Sequence, residues 1–255
     1  MTGAQRQPVT LSTLDQGLNV LEYLAQHGPS AQADIREYLG VSRATAFRVI
    51  AALQGRGYVE HIPAEHRYRL GPALLDMTKN AELSSVVEQA TIAMGELRHA
   101  TGETVNLGLL RQGRITYAAI FDGRHALRMQ ATVGDEVPPH ATALGKAVLA
   151  ALPGAERAAL LGPEPYARYT PQTIVSASQL EGELARVVVQ GYATDQQEVE
   201  VGAECIAAAI LGSNGRPIGG ISVSAVSARM PKGAARRELG QVIADWCAKI
   251  SSELA

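Results

Sequence analysis

A chain of 255 residues is long enough for one large domain or two ordinary ones, and at 46% hydrophobic and 19% charged it can bury a sizeable core. A formal net charge of −2 excludes a globally basic nucleic-acid binder, and two cysteines, Cys205 and Cys247, exclude both a disulfide framework and a CxxC metal knuckle. Residues 1–10 lack the apolar stretch of a signal peptide, and no apolar run approaches the ~20 residues of a membrane span, which predicts a cytoplasmic protein with no membrane contact.

The first periodic segment carries Leu14, Leu18, Leu21 and Leu24 or Ala25 on one helical face, behind Ser12-x-x-Asp15, a capping-box pattern. It stops near His27-Gly28-Pro29. Ser30 is the candidate N-cap of a second helix with Ile35 and Leu39 inward, ended by Gly40. Ser42 caps a third, with Ala46, Val49, Ile50 and Leu53 inward and Gly55 and Gly57 closing it. Two short helices joined by a glycine turn read as helix-turn-helix. The strand-like runs Tyr58–Ile62 and Arg67–Leu70 flank the turn Pro63-Ala64-Glu65-His66. A hairpin directly after the third helix is a wing.

Helical geometry then fixes the outer face of the third helix. Ala44, Arg48 and Ala51 point most directly outward, and Arg43, Thr45 and Phe47 flank them. Small alanines admit the helix deep into a major groove, arginine donates to guanine edges or phosphate, and threonine reaches phosphate or a thymine methyl. Residues 40–70 hold five arginines against two glutamates. Arg67, near the wing tip, reaches backbone or minor groove. The candidate DNA-binding set is therefore Ser42, Arg43, Ala44, Thr45, Phe47, Arg48 and Arg67. Two readings stay open for Arg48, base edge or phosphate alone, and two for Phe47, packing or DNA contact. Arg69 reads equally as a solvated strand charge.

Gly71-Pro72 punctuates the chain, placing a DNA-binding module over residues 8–72 and a second module over 73–255. Ala73–Leu83 reads as helix, with Leu74, Leu75 and Met77 apolar. Ser84-Ser85 restarts a helix carrying Val87, Ala90, Met94 and Leu97, ending at Gly102. Beyond Glu103 the period changes. Val105–Leu110 and Ile115–Ile120 form a hairpin across Arg111–Arg114, and Ala126–Thr132 reads as a further strand. Thr142–Leu152 is a helix. Leu180, Leu184, Val187 and Val188 mark another, stopped at Gly191, and Tyr192–Thr194 is a short strand. Cys205–Leu211 and Pro217–Val226 form a second hairpin before a final helix over Pro231–Leu254. Hairpins with helices around them predict an α+β architecture built on an antiparallel sheet.

Three stretches carry a family resemblance: Gly134 through Ala150 (GDEVPPHATALGKAVLA), Gly191 through Glu198 (GYATDQQE) with Gly202 and Cys205-Ile206-Ala207-Ala208, and the wing end Tyr68-x-Leu70-Gly71. With the order of helix-turn-helix, wing and helical linker, these motifs resemble the IclR-type transcriptional regulators over about residues 10–250. Gln16 departs from a common arginine, and Gln197 from a common acid. The resemblance implies a GAF-like effector domain that binds a small, often carboxylate-bearing metabolite, and ligand contact at Ala143, Leu144, Gly145, Asp195, Cys205, Ser222 and Ser224.

The residues permit that chemistry. Thr142–Gly145 opens a helix, whose free N–H groups and dipole suit an anion. Ser222 and Ser224 share one strand face, and Cys205, Ala207 and Ala209 share one face of the partner strand. Each also has a plainer reading: Cys205 as a buried small hydrophobe, Asp195 as a loop brace, the serines as solvent-facing. His140 reads as a loop or structural hydrogen-bonding residue, Lys146 as a carboxylate partner, and Glu198, Glu200 and Glu204 as a solvated or interdomain acidic face. No nucleophile elbow, metal-ligand set or P-loop occurs, so no enzyme, cofactor or metal site is expected. The expected partners are double-stranded DNA, a small-molecule effector, and further copies of the chain in a homodimer or homotetramer.

Overall fold

The computed structural model describes residues 12–254, except the side chains of Ser12, Leu75, Asp76 and residues 78–82. The expectations for residues 1–10, for a Ser12 cap and for the Leu75 side chain lie outside the described residues. The chain divides into two compact units between Ala81 and Glu82.

The first unit holds α1 (Ser12–His27), β1 (Ser30–Ala31), α2 (Gln32–Leu39), α3 (Arg43–Gly55), β2 (Val59–Ile62) and β3 (Arg67–Leu70). The strands form one antiparallel sheet in the order β1-β3-β2. Its core gathers Val20 and Leu24 from α1, Ile35 from α2, Val49 and Ile50 from α3 and Val59 from β2. The buried face of α1 thus runs through Val20 and Leu24, while Leu14 and Leu18 are exposed. Their spacing is helical, yet it belongs to the neighbouring stripe, one residue's rotation away from the core.

Ser42 caps α3, its Oγ accepting the Thr45 N–H at 3.2 Å. Ser30 does not cap α2. It lies in β1 and donates to the Gly28 carbonyl, while Ala31 is the N-cap and the Asp34 carboxylate accepts the Ala31 N–H at 3.2 Å. Gly40 closes α2 in the left-handed region at φ 63°. At the wing's end, Gly71 donates to the Tyr58 carbonyl at 2.8 Å, and a Cβ there would overlap the Gly57 carbonyl oxygen. Only glycine permits that approach.

A single helix, α4 (Pro72–Thr101), replaces the two expected helices. Pro72 is its first residue, a favoured place for proline. Ser84 and Ser85 do not break it, because serine in a helix interior costs only a fraction of a kcal/mol, roughly 0.5 relative to alanine.

The second unit is built on a five-stranded antiparallel sheet in the order β5-β4-β8-β7-β6. Its strands are β4 (Thr104–Arg111), β5 (Arg114–Phe121), β6 (Ala193–Gln196), β7 (Ala203–Leu211) and β8 (Pro217–Val226), and its further helices are α5 (Ala143–Ala151), α6 (Gly154–Leu161), α7 (Ala177–Gln190) and α8 (Gly233–Glu253). One sheet face presents Val105, Leu107, Leu109, Ile206, Ile221 and Val223 to residues of α4 and α8, such as Met94, Leu97, Ile243 and Ile250. The other packs beneath α5 and α7, where Leu144, Val148, Leu180, Leu184 and Val187 meet Ala193 and Ala207. Val188, expected on the inner face of α7, is exposed.

Residues 126–132 are not a strand. Side chains rather than a ladder tie that segment down: Thr104 Oγ1 donates to the Met129 carbonyl at 2.9 Å and Arg229 to that of Leu127 at 2.9 Å. Helix α6 was not foreseen, and none of its residues is fully buried.

Candidate functional site

On the first unit, α3 turns Arg43, Ala44, Phe47 and Arg48 outward, with Phe47 60% exposed. Thr45 is half-buried, its hydroxyl 3.0 Å from that of Ser42. The open question on Phe47 is thereby answered against packing: a large aromatic side chain stands in solvent beside two arginines. Arg67 is exposed at the base of the hairpin turn and approaches the Pro29 carbonyl at 3.5 Å. Arg69 sits across from Glu60 and donates twice to its carboxylate, at 2.8 and 3.0 Å, so its charge is already paired.

On the second unit, the sheet face under α5 carries an unusual row of polar groups. Register pairs Ser224 with Cys205 and Cys205 with Asp195; one step along, Asn106 pairs with Ser222 and Ser222 with Ala207. The expected Asp195, Cys205, Ser222 and Ser224 therefore come from three adjacent strands onto one surface. Asn106, which sequence reasoning missed, joins them from a fourth. It is only 2% exposed, and its Nδ2 donates to Ser222 Oγ at 3.2 Å and Ser224 Oγ at 3.1 Å. The Cys205 thiol donates to Ser224 Oγ at 3.1 Å.

Electrostatics within the cluster follow from burial. The Asp195 carboxyl is pushed up to about 7, first by desolvation, against the lowering effect of the Glu198 N–H that its Oδ1 accepts at 2.7 Å. Burial, then the nearby Asp195, pushes the Cys205 thiol up to about 12. That shift holds the thiol in its protonated, weakly nucleophilic form near neutrality. Tyr117 on β5 is also raised to about 12, by burial and then by Cys205 and Asp195, which places its hydroxyl within the field of the same cluster.

Helix α5 stands over this face. Thr142 caps it, accepting the Gly145 N–H at 2.9 Å, so the Gly145 donor is already spent. The N–H groups of Ala143 and Leu144 have no partner among the described residues, as a helix start dictates. Gly145 is small for a reason unrelated to a ligand: a Cβ there would strike the Pro139 backbone. The Leu144 side chain drops onto Gly108 and Gly220, a register pair on β4 and β8 that leaves room for it. A cleft of about 450 Å³ lies on the opposite sheet face, lined by Leu97, Val223, Met230 and Leu239 and edged by the Glu103–Arg229 ion pair.

Behind the cluster, Lys146 of α5 is fully buried and meets Glu198 at 2.5 Å and Glu183 at 3.7 Å. Burial holds the Glu198 carboxyl above the usual carboxylate range despite that cation. Thr173 Oγ1 donates to the Glu198 carbonyl at 2.6 Å, which fixes the turn after Asp195. The expected acidic face is thus corrected: Glu198 is buried, and Glu204 is buried between Lys232 and Arg236, leaving Glu200 exposed. The Gln197 side-chain oxygen accepts the Gly202 N–H at 2.9 Å. His140 is structural as expected, bonded to the Ala167 carbonyl at 2.8 Å.

Comparisons with known proteins bear on the family and the fold. The family described as "Bacterial transcriptional regulator IclR C-terminal" matches residues 78–252, and the IclR helix-turn-helix domain matches residues 13–63. HTH-type transcriptional regulator XynR of Escherichia coli K12 is 31% identical over 222 residues, spanning 86% of this chain and 88% of its own. The transcriptional repressor IclR of the same organism is 29% identical over 231 residues, spanning 86% and 82%. The crystal structure of the Thermotoga maritima IclR superposes with a TM-score of 0.63 at 27% identity, over 96% of this chain and 99% of that one. These relatives are transcription regulators rather than enzymes, and no described helix is long and apolar enough to cross a membrane. The chain belongs to the IclR family of DNA-binding transcriptional regulators.

Proposed function

We propose that this regulator is an allosteric switch in which a module over residues 8–72 grips an operator and a module over 73–255 binds a small carboxylate metabolite. The buried polar cluster under the start of α5 carries the reading. Helix-start N–H donors stand over a sheet face that carries two serine hydroxyls, an asparagine amide and a carboxyl raised to about 7. Ala143, Leu144 and Gly145 supply the wall above, and Asp195, Cys205, Ser222 and Ser224 the floor. Such an arrangement suits an anion that needs orientation more than hydrophobic enclosure.

On the DNA side, Arg43, Ala44, Phe47 and Arg48 enter the major groove, Ser42 and Thr45 bond phosphate, and Arg67 reaches the backbone or the minor groove. A homodimer or homotetramer presents paired copies of α3 to a pseudo-palindromic site. The effector binds one arrangement of its module better than another, and that difference in affinity shifts the operator-competent population.

A mobility-shift assay on the intergenic DNA upstream of the coding region tests the proposal, with and without small carboxylates. A specific retarded band that responds to at least one of them is the expected result; no band under any condition defeats it. Arg48→Ala weakens operator binding by about 10- to 100-fold, the worth of a lost bidentate base contact. A loss confined to one base position identifies base reading. A uniform loss across sequences places Arg48 on phosphate, and an unchanged affinity removes α3 from the interface.

A further inference from the structure

The polar cluster under α5 contains one group that nothing so far explains. Asn106 Oδ1 is buried and has no hydrogen-bond partner among the described residues. An amide oxygen removed from water without a donor is costly, and such groups in folded proteins call for an explanation.

The rest of the network constrains what completes it. Asn106 Nδ2 donates into both serine oxygens, at 3.2 and 3.1 Å, and the Cys205 thiol donates into Ser224 as well. A hydroxyl oxygen that accepts keeps its own proton to give. Neither serine proton has an acceptor among the described residues. Two unspent O–H donors therefore lie beside one unspent carbonyl acceptor. Their complement is a molecule with two acceptor oxygens and a neighbouring donor.

We propose that Asn106 both positions Ser222 and Ser224 and itself reads the effector, so that the ligand of this regulator is a hydroxy acid: its carboxylate takes the two serine protons and its hydroxyl donates to Asn106 Oδ1. The inference rests on the carboxylate reading above and adds the second functional group. The reverse amide orientation makes the opposite statement. It spends both serine protons on Oδ1, leaves an N–H facing the ligand, and favours an oxo acid.

The full-length protein is tested by titration calorimetry against matched probes: lactate, propionate and pyruvate, then gluconate and hexanoate. In the wild type the hydroxy acid of each set binds at least tenfold tighter than its hydroxyl-free counterpart and, in the first set, than the oxo acid. Asn106→Ala and Asn106→Ser both bring that ratio close to one while leaving the circular dichroism spectrum unchanged. The ratio isolates recognition, because a merely structural role would lower every affinity together. An equal or stronger response to the hydroxyl-free or oxo probe overturns the inference, as does a ratio that survives in the folded variant. Absence of binding by every probe instead overturns the carboxylate reading on which it rests.

Discussion

Replacing Lys146 by methionine lowers the unfolding free energy by about 3–5 kcal/mol, the cost of stranding a buried carboxylate without its cation. Lys146 is fully buried, and its ammonium holds Glu198 at 2.5 Å. Glu183, its second partner at 3.7 Å, keeps Arg186 and is less affected. Among the described residues Glu198 has no second cation, and its Oε2 lacks a hydrogen-bond partner. The variant therefore relieves itself by protonating Glu198, and its deficit grows as pH rises. Urea denaturation at neutral pH measures the loss. Lys146→Met combined with Glu198→Leu recovers most of it, since exchanging a whole buried ion pair for apolar side chains is often neutral. A single-variant loss below about 1 kcal/mol, typical of a surface pair, would show that the bridge contributes little. So would a double variant no more stable than the single.

This bridge also shows where the sequence stops being legible. Lys146 was expected to pair with a carboxylate, and it does, but nothing in its neighbours marks it as buried. The two partners come from distant segments, and only the packing of α5 on α7 and the turn after β6 brings them together. The local features were easier. Gly40 and Gly191 end their helices as expected because a left-handed residue there is a property of the chain itself. The two large hairpins were visible for the same reason, in alternation broken by short polar turns.

Orientation was harder than existence. Helix α1 was readable, but Val20 and Leu24 bury rather than Leu14 and Leu18, because two apolar stripes compete and only tertiary contact chooses between them. Helix α3 fell on the right face, with Ala46, Val49 and Ile50 buried and Ala44, Arg48 and Ala51 exposed, because the choice there was unambiguous. Asn106 was missed because it sits within the apolar run from Val105 to Leu110 and is noticed only once register sets it opposite Ser222. A single polar residue at an alternate position of a buried strand was the available signal.

Asp195 carries the other large effect, and its sign is opposite to that of a salt-bridged acid. Its carboxyl rises from 3.8 to about 7 on folding, chiefly through desolvation. Between those values the folded chain holds a proton that the unfolded chain has released, so stability declines as pH increases. The contribution is complete below the lower value and gone above the upper one. At roughly 1.4 kcal/mol for each pH unit, the total is on the order of 4 kcal/mol. Glu198 and Glu204 push in the same direction as burial, Lys146 opposes them, and Cys205 and Tyr117 remain neutral throughout this window. Asp195→Asn removes the ionisation yet keeps an oxygen for the Glu198 N–H. The variant is therefore more stable than the wild type at pH 8, and its urea midpoint varies less between pH 5 and 8. Equal stability of the two proteins at pH 8 would mean that water or a rearranged loop already solvates this acid. The same proton bears on the ligand. An anion beside Asp195 is tolerated while the side chain is neutral, so affinity for a carboxylate falls by up to about tenfold per pH unit above 7 in the wild type. In Asp195→Asn that slope flattens. For the effector site proposed above, giving up stability near neutrality to hold a titrating acid beside a carboxylate is the expected trade between folding and function.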